Sequence, residues 1–539
     1  MAKGYRPVDR DQPFLLPPDM RQWLPAGHAV WLVIEAVRRL DTRAFHARRR
    51  TGGAGAAGYD PDMLLTLLVW AYANGITSSR RIERLCSQDV AFRVICAGHV
   101  PDHVTVARFR QQFADTAADL FAQVLLLCAR LGMGQVGTVA LDGTKIAADA
   151  SKDANRTEEG LRKLAEDLAA RHAEADEAED ALFGAGKRGD DDPGDPFTRA
   201  ERVAAALAGL EAERAEREAA EAARAQEHLD AARAGAPRRG ARPAAADVAI
   251  AEARVARETA AYQEKCRARA EKEAAGGPPR RGGSKPVPPQ EYCRVREARA
   301  ALERARERAA ARAAKAEKKA EAGGKQDQEP QRNVTDPASR LMPVRGGGFL
   351  QGYNPQNVTS EDGLVIATEL TATPGDVQWY EPVIAAAAAA AAAMAAAGAP
   401  GDGAIGLVLA DAGYLSEHNL TCPGPDRLIA TGKRRRLEKT ARAGTGGQDT
   451  GQTAGQPETP PVAAMTARLA TADGIAAYRR RSHIGETFHG DLKHNQGFRR
   501  LSVRGLPRAS GEWTFAAAVR NLRKAITSGH LTTAALAAL

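Results

Sequence analysis

The sequence has few aromatic residues, and its cysteines form no recognisable pairs. Of its 539 residues only 5% are Phe, Trp or Tyr, and much of the 44% apolar fraction is alanine, which buries little surface. The six cysteines are scattered, with no CxxC motif and no Cys/His pair at zinc-ligand spacing. These absences argue against a structural zinc site and against a disulfide framework. We expect reduced thiols in a cytosolic protein.

Long hydrophobic runs are also missing. The N-terminal stretch MAKGYRPVDRDQPFLLP has no apolar core of a signal peptide, and the longest apolar run, 384–397, is almost all alanine and shorter than a membrane span. We therefore expect a cytoplasmic protein without membrane association. The chain carries 76 Lys and Arg against 67 Asp and Glu, a formal charge of +9. A basic balance of this size favours a polyanionic partner.

The pattern of the remaining residues divides the chain into segments. Residues 1–130 mix leucine, tryptophan and arginine at helical spacing, and Asp60-Pro61 marks the start of one helix. Residues 155–332 are mainly Ala, Glu, Arg and Lys, and three loops rich in Gly, Pro or charge divide them into four helical pieces without a sustained heptad seam. We expect a helical N-terminal domain, a long helical insertion that packs loosely, and a flexible linker at 443–461.

Between these segments the pattern changes to strands. Residues 131–154 predict a strand through Ala140, a turn at Asp142-Gly143 and a short second strand. Residues 333–442 predict two paired strands around a turn at 360–363, an alanine helix and a buried strand. Residues 462–539 carry the last helices. This order predicts an α/β fold whose mixed sheet is interrupted by the insertion.

Three carboxylates stand out as candidates for chemistry. Asp142 follows the apolar strand GTVAL, Asp411 follows GLVLA, and Glu486 lies in the helical region after the linker. Ligands collect at the carboxyl ends of strands in open α/β sheets. Carboxylates without a histidine or cysteine cluster suit Mg²⁺ or Mn²⁺, and two such ions support phosphodiester displacement. The cations that could hold phosphates crowd around Glu486: Arg479, Arg480, Arg481, Lys493, Arg499 and Arg500.

Each of these acids also has a simpler interpretation. Asp142 begins an Asp-Gly pair, which is a strong turn signal, and Asp411 could cap a helix. Glu486 could be an exposed acid in an ion pair. Glu512 is the alternative third acid, although its place near a helix start already favours a carboxylate. The triple 190–192 lacks the spacing of a calcium loop and is interpreted as a solvated break.

Together, several stretches resemble the DDE transposases of bacterial insertion sequences. The stretches are YDPDMLLTLLVWAYANG, PDHVTVARFR, LDGTKIAADAS, NVTDPASRLM, GYNPQNV, VLADAGY and YRRRSHIGETFHGDLKHNQGFRRLSVRG. The resemblance covers both ends and the strands but not the insertion. It implies an RNase H-like mixed-sheet catalytic core, split between 131–154 and 333–442 and completed by 462–539. It also implies an all-α N-terminal domain for DNA binding or dimerisation.

The resemblance assigns roles residue by residue. Asp142, Asp411 and Glu486 match the three catalytic acids, which implies that they hold two Mg²⁺ (or Mn²⁺). Their expected chemistry is cleavage at terminal inverted repeats followed by strand transfer into target DNA.

The last helical region also matches the family's Y-R-E-K signature. Its expected DNA-binding residues are Tyr478, Arg481, Lys493, Arg499 and Arg500. The interval from Arg481 to Glu486 is five positions, one more than in the strictest form of the signature.

The implied partner is double-stranded DNA, both transposon ends and target, bound by a homo-oligomer at the nucleoid. Arginines of the N-terminal domain are expected to contact phosphates: Arg80, Arg81, Arg84, Arg108 and Arg110. The basic run 433–436 is expected to extend the DNA groove. Two alternatives remain from the residues alone: a non-catalytic DNA-binding scaffold such as a decayed transposase, and an RNase H-like nuclease that cleaves without strand transfer.

Overall fold

The computed structural model describes most of the chain in eight stretches. They are residues 19–48, 58–183, 199–236, 242–275, 287–321, 330–344, 347–432 and 459–539. The triple 190–192, the basic run 433–436 and all but the last three residues of the predicted linker lie outside them. The chain divides into two compact units, one formed by Met1–Asn155 with Asn333–Leu539 and the other by Arg156–Arg332.

A seven-stranded mixed sheet forms the centre of the first unit. In chain order, the strands of the described residues are β1 (Thr138–Gly143), β2 (Ile146–Ala147), β3 (Asn155–Arg156), β4 (Arg332–Asn333), β5 (Arg340–Pro343), β6 (Phe349–Ser360), β7 (Val365–Thr371), β8 (Leu407–Ala410) and β9 (Asp426–Ile429). All of them except β3 and β4 belong to the seven-stranded sheet. The main order is β7-β6-β1-β8-β9, in which β6 is antiparallel to both of its neighbours and β8 is parallel to β1 and β9. Strands β2 and β5 pair with the first half of β6, and β3 pairs with β4 in a separate two-stranded sheet. This order is that of an RNase H-like sheet, as the resemblance implies.

The turn predicted at Asp142-Gly143 is wrong. Strand β1 continues through both residues because they pair with Asn357 and Gln356 of β6, and the chain turns only at 144–145. The simpler interpretation of Asp142 as a turn residue therefore fails. The hairpin around 360–363 is confirmed, with Gly363 at a φ of 84°, whereas β9 was not predicted.

Helices of the first unit surround this sheet. They are α1 (Ala29–Arg38), α2 (Arg43–His46), α3 (Pro61–Ala73), α4 (Ser79–Gln88), α5 (Val90–Ile95), α6 (His103–Gln111) and α7 (Phe113–Arg130) before β1. The helix predicted to start at Asp60-Pro61 is confirmed, since the Asp60 carboxylate accepts hydrogen bonds from the backbone N–H groups of Asp62 and Met63.

The helices that follow the insertion complete the first unit. They are α12 (Tyr380–Ala396), α13 (Glu417–Thr421), α14 (Pro460–Leu469), α15 (Ala472–Arg481), α16 (Thr487–Gly490), α17 (Leu506–Thr527) and α18 (Thr533–Ala538). Two π-helical turns, Ser482–Glu486 and Asp491–Asn495, flank α16.

Alternation along β1 sends side chains to two different apolar clusters. Val139 and Leu141 belong to the large core that also contains α3, α7, α12 and α17. Phe113 of α7 and Phe515 of α17 stack there with ring centroids 4.1 Å apart, so the N-terminal helices share one core with the sheet. Ala140 faces the opposite way, into a smaller cluster with Ile484. By the period of two, Asp142 points to the same side as Ala140.

The alanine-rich helix α12 is long and apolar enough, together with the short turn before it, to pass a composition test for a membrane span. Its buried residues are Tyr380, Val383, Ile384, Ala387, Ala391 and Met394. They recur at helical spacing on one face, which packs on the sheet and on α7. This one-sided burial is that of a core helix and does not indicate a membrane protein.

The second unit contains the insertion. Its helices are α8 (Glu158–Phe183), α9 (Arg199–Ala234), α10 (Asp247–Ala274) and α11 (Cys293–Glu321), which confirms the four predicted pieces. Among the described residues of this unit, Ala251, Leu302 and Ala305 form a small apolar cluster between α10 and α11.

Hydrogen bonds join the two chain ends at which the insertion begins and ends. The Asn333 amide donates to the Ser151 carbonyl (2.7 Å) and to the Asn155 side chain (3.0 Å). The Asn155 amide in turn donates to Gln351 of β6 (2.9 Å). Residues 155 and 333 are therefore held side by side.

Candidate active site

Asp142 and Asp411 lie at equivalent positions on two neighbouring parallel strands. The register pairs Leu141 of β1 with Ala410 of β8, so the two aspartates are the next residues along. Neighbouring strands are about 4.8 Å apart. Asp142 is buried, and Asp411 is half-buried with its Oδ1 accepting a hydrogen bond from the Gly413 N–H (2.8 Å). The two acids that sequence reasoning placed at strand ends are thus neighbours.

The last helical segment crosses this side of the sheet. A Cβ added at Gly485 would lie 3.3 Å from the Ala140 Cβ and 3.5 Å from the Asp142 Cβ, so the backbone of this segment runs directly against the end of β1. Glu486 follows directly, with a side chain that is 53% exposed. The close contact at Gly485 brings the third predicted acid to the rim of the site.

A π-turn accounts for the unusual interval between Arg481 and Glu486. An α-helix aligns residues three or four apart, whereas a π-turn aligns residues five apart. The turn Ser482–Glu486 therefore stacks Glu486 on Arg481, and the Arg481 Nη2 lies 3.2 Å from the Glu486 Oε1. The additional residue in the signature is accommodated as one π-helical turn.

Arg481 bridges the first and third acids. Its Nη1 lies 3.4 Å from the Asp142 Oδ1, while its Nη2 contacts Glu486. The Arg481 side chain is only 12% exposed, and its guanidinium lies 6.0 Å from the Tyr478 ring. The Tyr478 hydroxyl donates to the Ala410 carbonyl at the end of β8 (3.2 Å). Tyr478 and Arg481 therefore hold helix α15 against β1 and β8, the two strands that lead to Asp142 and Asp411.

His489 and Lys493 contact the same edge from the following turn. His489 Nε2 lies 3.7 Å from the Asp142 Oδ2, and burial lowers the pKa of His489 to about 3, so the imidazole is neutral at pH 7. Lys493 donates to the Thr144 hydroxyl and to the Lys145 carbonyl (2.7 Å). Burial lowers the pKa of Lys493 to about 8. Arg499 and Arg500 are exposed beyond it.

Asp376, which sequence reasoning missed, adds a fourth carboxylate. A Cβ at Gly413 would lie 2.9 Å from oxygens of both Asp376 and Asp411, which places the two carboxylates close to each other beside this glycine. Asp376 Oδ1 accepts hydrogen bonds from Asn354 (2.7 Å) and Gln356 (2.8 Å). Its Oδ1 also lies 3.4 Å from the Lys145 Nζ.

These partners come from the polar half of β6. Asn354, Gln356 and Asn357 are all buried within a central strand, where polar side chains need partners. The Tyr414 hydroxyl donates to the side-chain amide oxygen Oε1 of Gln356, which joins the segment after β8 to the same network. The run NPQN in a strand flanked by apolar ones is the signal that would have pointed to these residues.

Two residues considered from the sequence lie elsewhere. Glu512 is fully buried between helices and accepts hydrogen bonds from the Tyr72 hydroxyl and the Ser502 N–H (2.7 Å). Arg110, expected to contact phosphates, is also buried, and donates to Ser502 and to the Thr77 carbonyl (2.6 Å). Both side chains join the N-terminal helices to the C-terminal region, so the expectation for Arg110 is wrong.

The other N-terminal arginines remain available for binding. Arg80, Arg81 and Arg84 are exposed on α4, and Arg108 is exposed on α6. Helices α4 and α6 pack against each other, with His103 Nδ1 lying 2.9 Å from the Glu83 carboxylate. The four arginines therefore belong to one packed pair of helices.

The donor set at the strand ends suits a hard cation. Carboxylate oxygens are the ligands that Mg²⁺ and Mn²⁺ prefer. Among the described residues, the one set of three acidic or histidine side chains with ligand atoms within 4.8 Å of one another is His46, Asp60 and Asp62, on α2 and α3. The three site acids stand further apart, with the Arg481 guanidinium between Asp142 and Glu486. The chemistry of these oxygens suits a divalent ion, whereas in this structure the Arg481 guanidinium compensates the charge of Asp142 and Glu486.

Comparison with known families gives two matches. Residues 18–112 match a transposase domain (DUF772), and residues 446–526 match a transposase DDE domain. Both matched models describe transposase domains. No curated protein and no solved structure gives a significant match.

The two domains confirm the resemblance to insertion-sequence DDE transposases. The DDE match contains Glu486, Arg481 and Lys493, whereas Asp142 and Asp411 precede it. The DDE domain implies the RNase H-like core that the strand order displays. DDE transposases generally depend on divalent metal, and transposase domains imply a DNA substrate.

Proposed function

We propose that the protein is an insertion-sequence transposase that cleaves the terminal inverted repeats of its element and joins the freed ends to target DNA. The register that makes Asp142 and Asp411 neighbours on parallel strands carries this proposal. A binding module needs no pair of acids at adjacent strand ends with a third acid opposite. We further propose that the protein acts as a homo-oligomer on DNA at the nucleoid.

In this mechanism Asp142, Asp411 and Glu486 would hold two Mg²⁺ or Mn²⁺. When bound, the ions supply Lewis-acid activation of a hydroxyl nucleophile and stabilise the leaving oxygen of the phosphodiester. Asp376 contacts Lys145 and accepts hydrogen bonds from the side-chain amides of β6. It thereby helps to position the carboxyl end of β8, where Asp411 lies. His489 is neutral and therefore adds no positive charge beside Asp142.

The cationic residues of the site position the DNA. Arg481, which contacts both Asp142 and Glu486, can exchange these carboxylates for a phosphate, because guanidinium groups bind both in a bidentate manner. Lys493, Arg499 and Arg500 extend the positive charge from the site to the protein surface. There they neutralise phosphates of the DNA backbone on both sides of the cleavage position. Tyr478 fixes the helix to β8 through its hydroxyl. The exposed arginines of α4 and α6 contact the element ends.

A cleavage assay tests the proposal. A DNA that carries the sequences flanking the gene is incubated with Mg²⁺ and with wild type, Asp142→Asn, Asp411→Asn or Glu486→Gln. We expect nicking at the repeat ends by wild type and a loss of at least about a thousandfold in each variant, since each removes a ligand of the reacting centre. Wild-type cleavage by all three variants would refute the triad.

The same assay distinguishes the alternatives. Joining of the freed 3′ ends to a target plasmid supports a transposase, whereas cleavage without joining supports a nuclease. DNA binding without cleavage under any metal supports a scaffold. A charge-matched control is Asp402→Asn, since Asp402 lies in the loop before β8 and contacts only the Ala404 N–H (2.9 Å) among the described residues.

A further inference from the structure

A cleft in the second unit is lined mainly by arginine. It lies where α9 ends, α10 begins and α11 passes, and has a volume of about 520 Å³. The charged residues that line it are Arg242, Arg254, Arg257, Arg304, Arg308 and Asp247. Five guanidinium groups thus face a single carboxylate.

Part of this positive charge is already compensated. Arg308 donates to Asp247 (2.9 Å), and Arg257 donates to Glu258 and to the Ala232 carbonyl (3.2 Å). Arg242 and Arg304, in contrast, have no hydrogen-bond or ion-pair partner within the part of the chain that the structure describes. Both are exposed at the mouth of the cleft.

Elsewhere in the insertion the charges are more evenly distributed. Several exposed arginines and lysines pair with acids at helical spacing, for example Arg162 with Glu158 (2.7 Å), Lys163 with Glu159 (2.8 Å) and Arg269 with Glu273 (3.0 Å). Such pairs cancel charge along the helices. The cleft differs because it brings five arginines together around one aspartate, and this convergence raises its electrostatic potential.

The chemistry of the lining identifies the ligand class. Guanidinium groups match phosphate oxygens in a bidentate manner. The first turn of α10 starts at Asp247 in the cleft wall and adds the positive end of a helix dipole. Asp247 is buried and paired with Arg308, so its charge does not oppose an anion at the mouth. The cleft is lined by no Phe, Tyr or Trp, and its one imidazole, His228, is buried, so the lining suits a backbone phosphate rather than a base.

We propose that this cleft binds phosphodiester groups of the DNA backbone, without sequence preference. The proposal rests on the proposed function, which makes DNA the partner of this chain. The insertion then supplies a second DNA contact that is separate from the catalytic acids. Arg242 and Arg304 form the contact, and Arg254 lies beside them.

The test is the salt dependence of DNA binding by the full chain. A fluorescent duplex without element ends is titrated in EDTA over a series of NaCl concentrations, so that neither metal nor end recognition contributes. The variant is R242Q/R304Q. The control is R267Q/R299Q, which removes the same charge from exposed positions of α10 and α11 that do not line the cleft. Thermal midpoints verify that all proteins are folded.

We expect the slope of log K against log [NaCl] to decrease in magnitude by about 2 in R242Q/R304Q, because each lost phosphate contact removes about 0.9. The slope of R267Q/R299Q should stay near that of wild type. Equal slopes in wild type and R242Q/R304Q would overturn the inference and leave the proposed function intact. A wild type that binds no DNA would instead refute the proposed function.

A second arm separates DNA from free phosphate. Inorganic phosphate is added to wild type and to R242Q/R304Q, and the thermal midpoint is measured against NaCl of equal ionic strength. No specific shift in wild type, together with the slope change above, supports a backbone site. A phosphate-specific shift that R242Q/R304Q loses, with an unchanged DNA slope, would overturn the DNA assignment in favour of a free anion.

Discussion

The guanidinium of Arg481 lies 3.2 Å from the carboxylate of Glu486, five residues further along the chain. A π-turn creates this contact, and the same guanidinium also reaches Asp142. One cation therefore compensates two of the three acids that we propose as metal ligands. A divalent ion has to compete with it for their oxygens.

This competition predicts that Arg481→Gln binds metal more tightly. Removal of the charge should raise the affinity for Mn²⁺ by about tenfold, or ~1.4 kcal/mol, and should lower cleavage because a phosphate contact is lost. Calorimetric titration with Mn²⁺ in the absence of DNA measures the affinity. Arg480→Gln is the control, since Arg480 lies 2.7 Å from Glu361 and hydrogen-bonds to Thr138 instead. An equal rise in both variants would show a general charge effect.

A second prediction concerns the two candidate third acids. Glu512→Gln should lower the free energy of unfolding by about 2 kcal/mol, because a buried acceptor of several hydrogen bonds is altered. Glu486→Gln should leave it nearly unchanged, since the side chain is exposed, but should abolish cleavage. Urea denaturation and the cleavage assay measure the two effects. Loss of cleavage in folded Glu512→Gln, with activity kept in Glu486→Gln, would exchange the assignments.

Lys493 gives the site a pH dependence of DNA affinity. Its pKa is lowered to about 8 by burial, and a phosphate at the amino group raises that pKa. DNA binding then takes up a proton above pH 8, so affinity should be constant below pH 8 and decrease as pH rises, by at most about tenfold per pH unit.

The control for this effect is Lys493→Arg. Because an arginine side chain keeps its charge, this variant should show a flat profile of DNA affinity between about pH 7 and about pH 9. Fluorescence anisotropy at constant ionic strength measures the profile. A wild-type profile as flat as that of the variant would show that Lys493 does not contact the backbone.

Asp376 should support the site through its charge. Asp376→Asn removes the charge near Asp411 and the ion pair with Lys145, and we expect Mn²⁺ affinity to decrease by about tenfold. The free energy of unfolding should fall by only ~1 kcal/mol, since an amide oxygen can still accept one hydrogen bond. Asp402→Asn should change neither quantity. Unchanged Mn²⁺ affinity in Asp376→Asn would leave it a purely structural residue.

The strands and their acids could be predicted from the sequence because their physical signals are local. A continuous apolar run ending in an acid identified Asp411, and the paired strands around 360–363 carried a clear turn signal. Asp142 needed more than local sequence, since its glycine neighbour suggests a turn. Only the ladder to Asn357 and Gln356 keeps β1 extended through it.

Other features depend on tertiary contacts that no local pattern encodes. Asp376 lies in a loop whose sequence is ordinary, and its role follows from buried amides of β6 that reach it from another element. The sequence pattern of α6 predicts that Arg110 lies on the exposed face of an amphipathic helix, but its side chain is buried and donates a hydrogen bond to Ser502. The π-turn could only be inferred indirectly, from one additional residue in a signature.

The hydrogen bond between Asn155 and Asn333 has a consequence for folding order. Strand β1 can pair with β6 only after the chain has closed a loop that contains the whole insertion, and for an unstructured segment of that length the entropic cost is about 5 kcal/mol. The insertion consists of helices with contacts between sequence neighbours, which form quickly. Once they have formed, the segment is no longer a long flexible loop, and the sheet can assemble at a lower entropic cost.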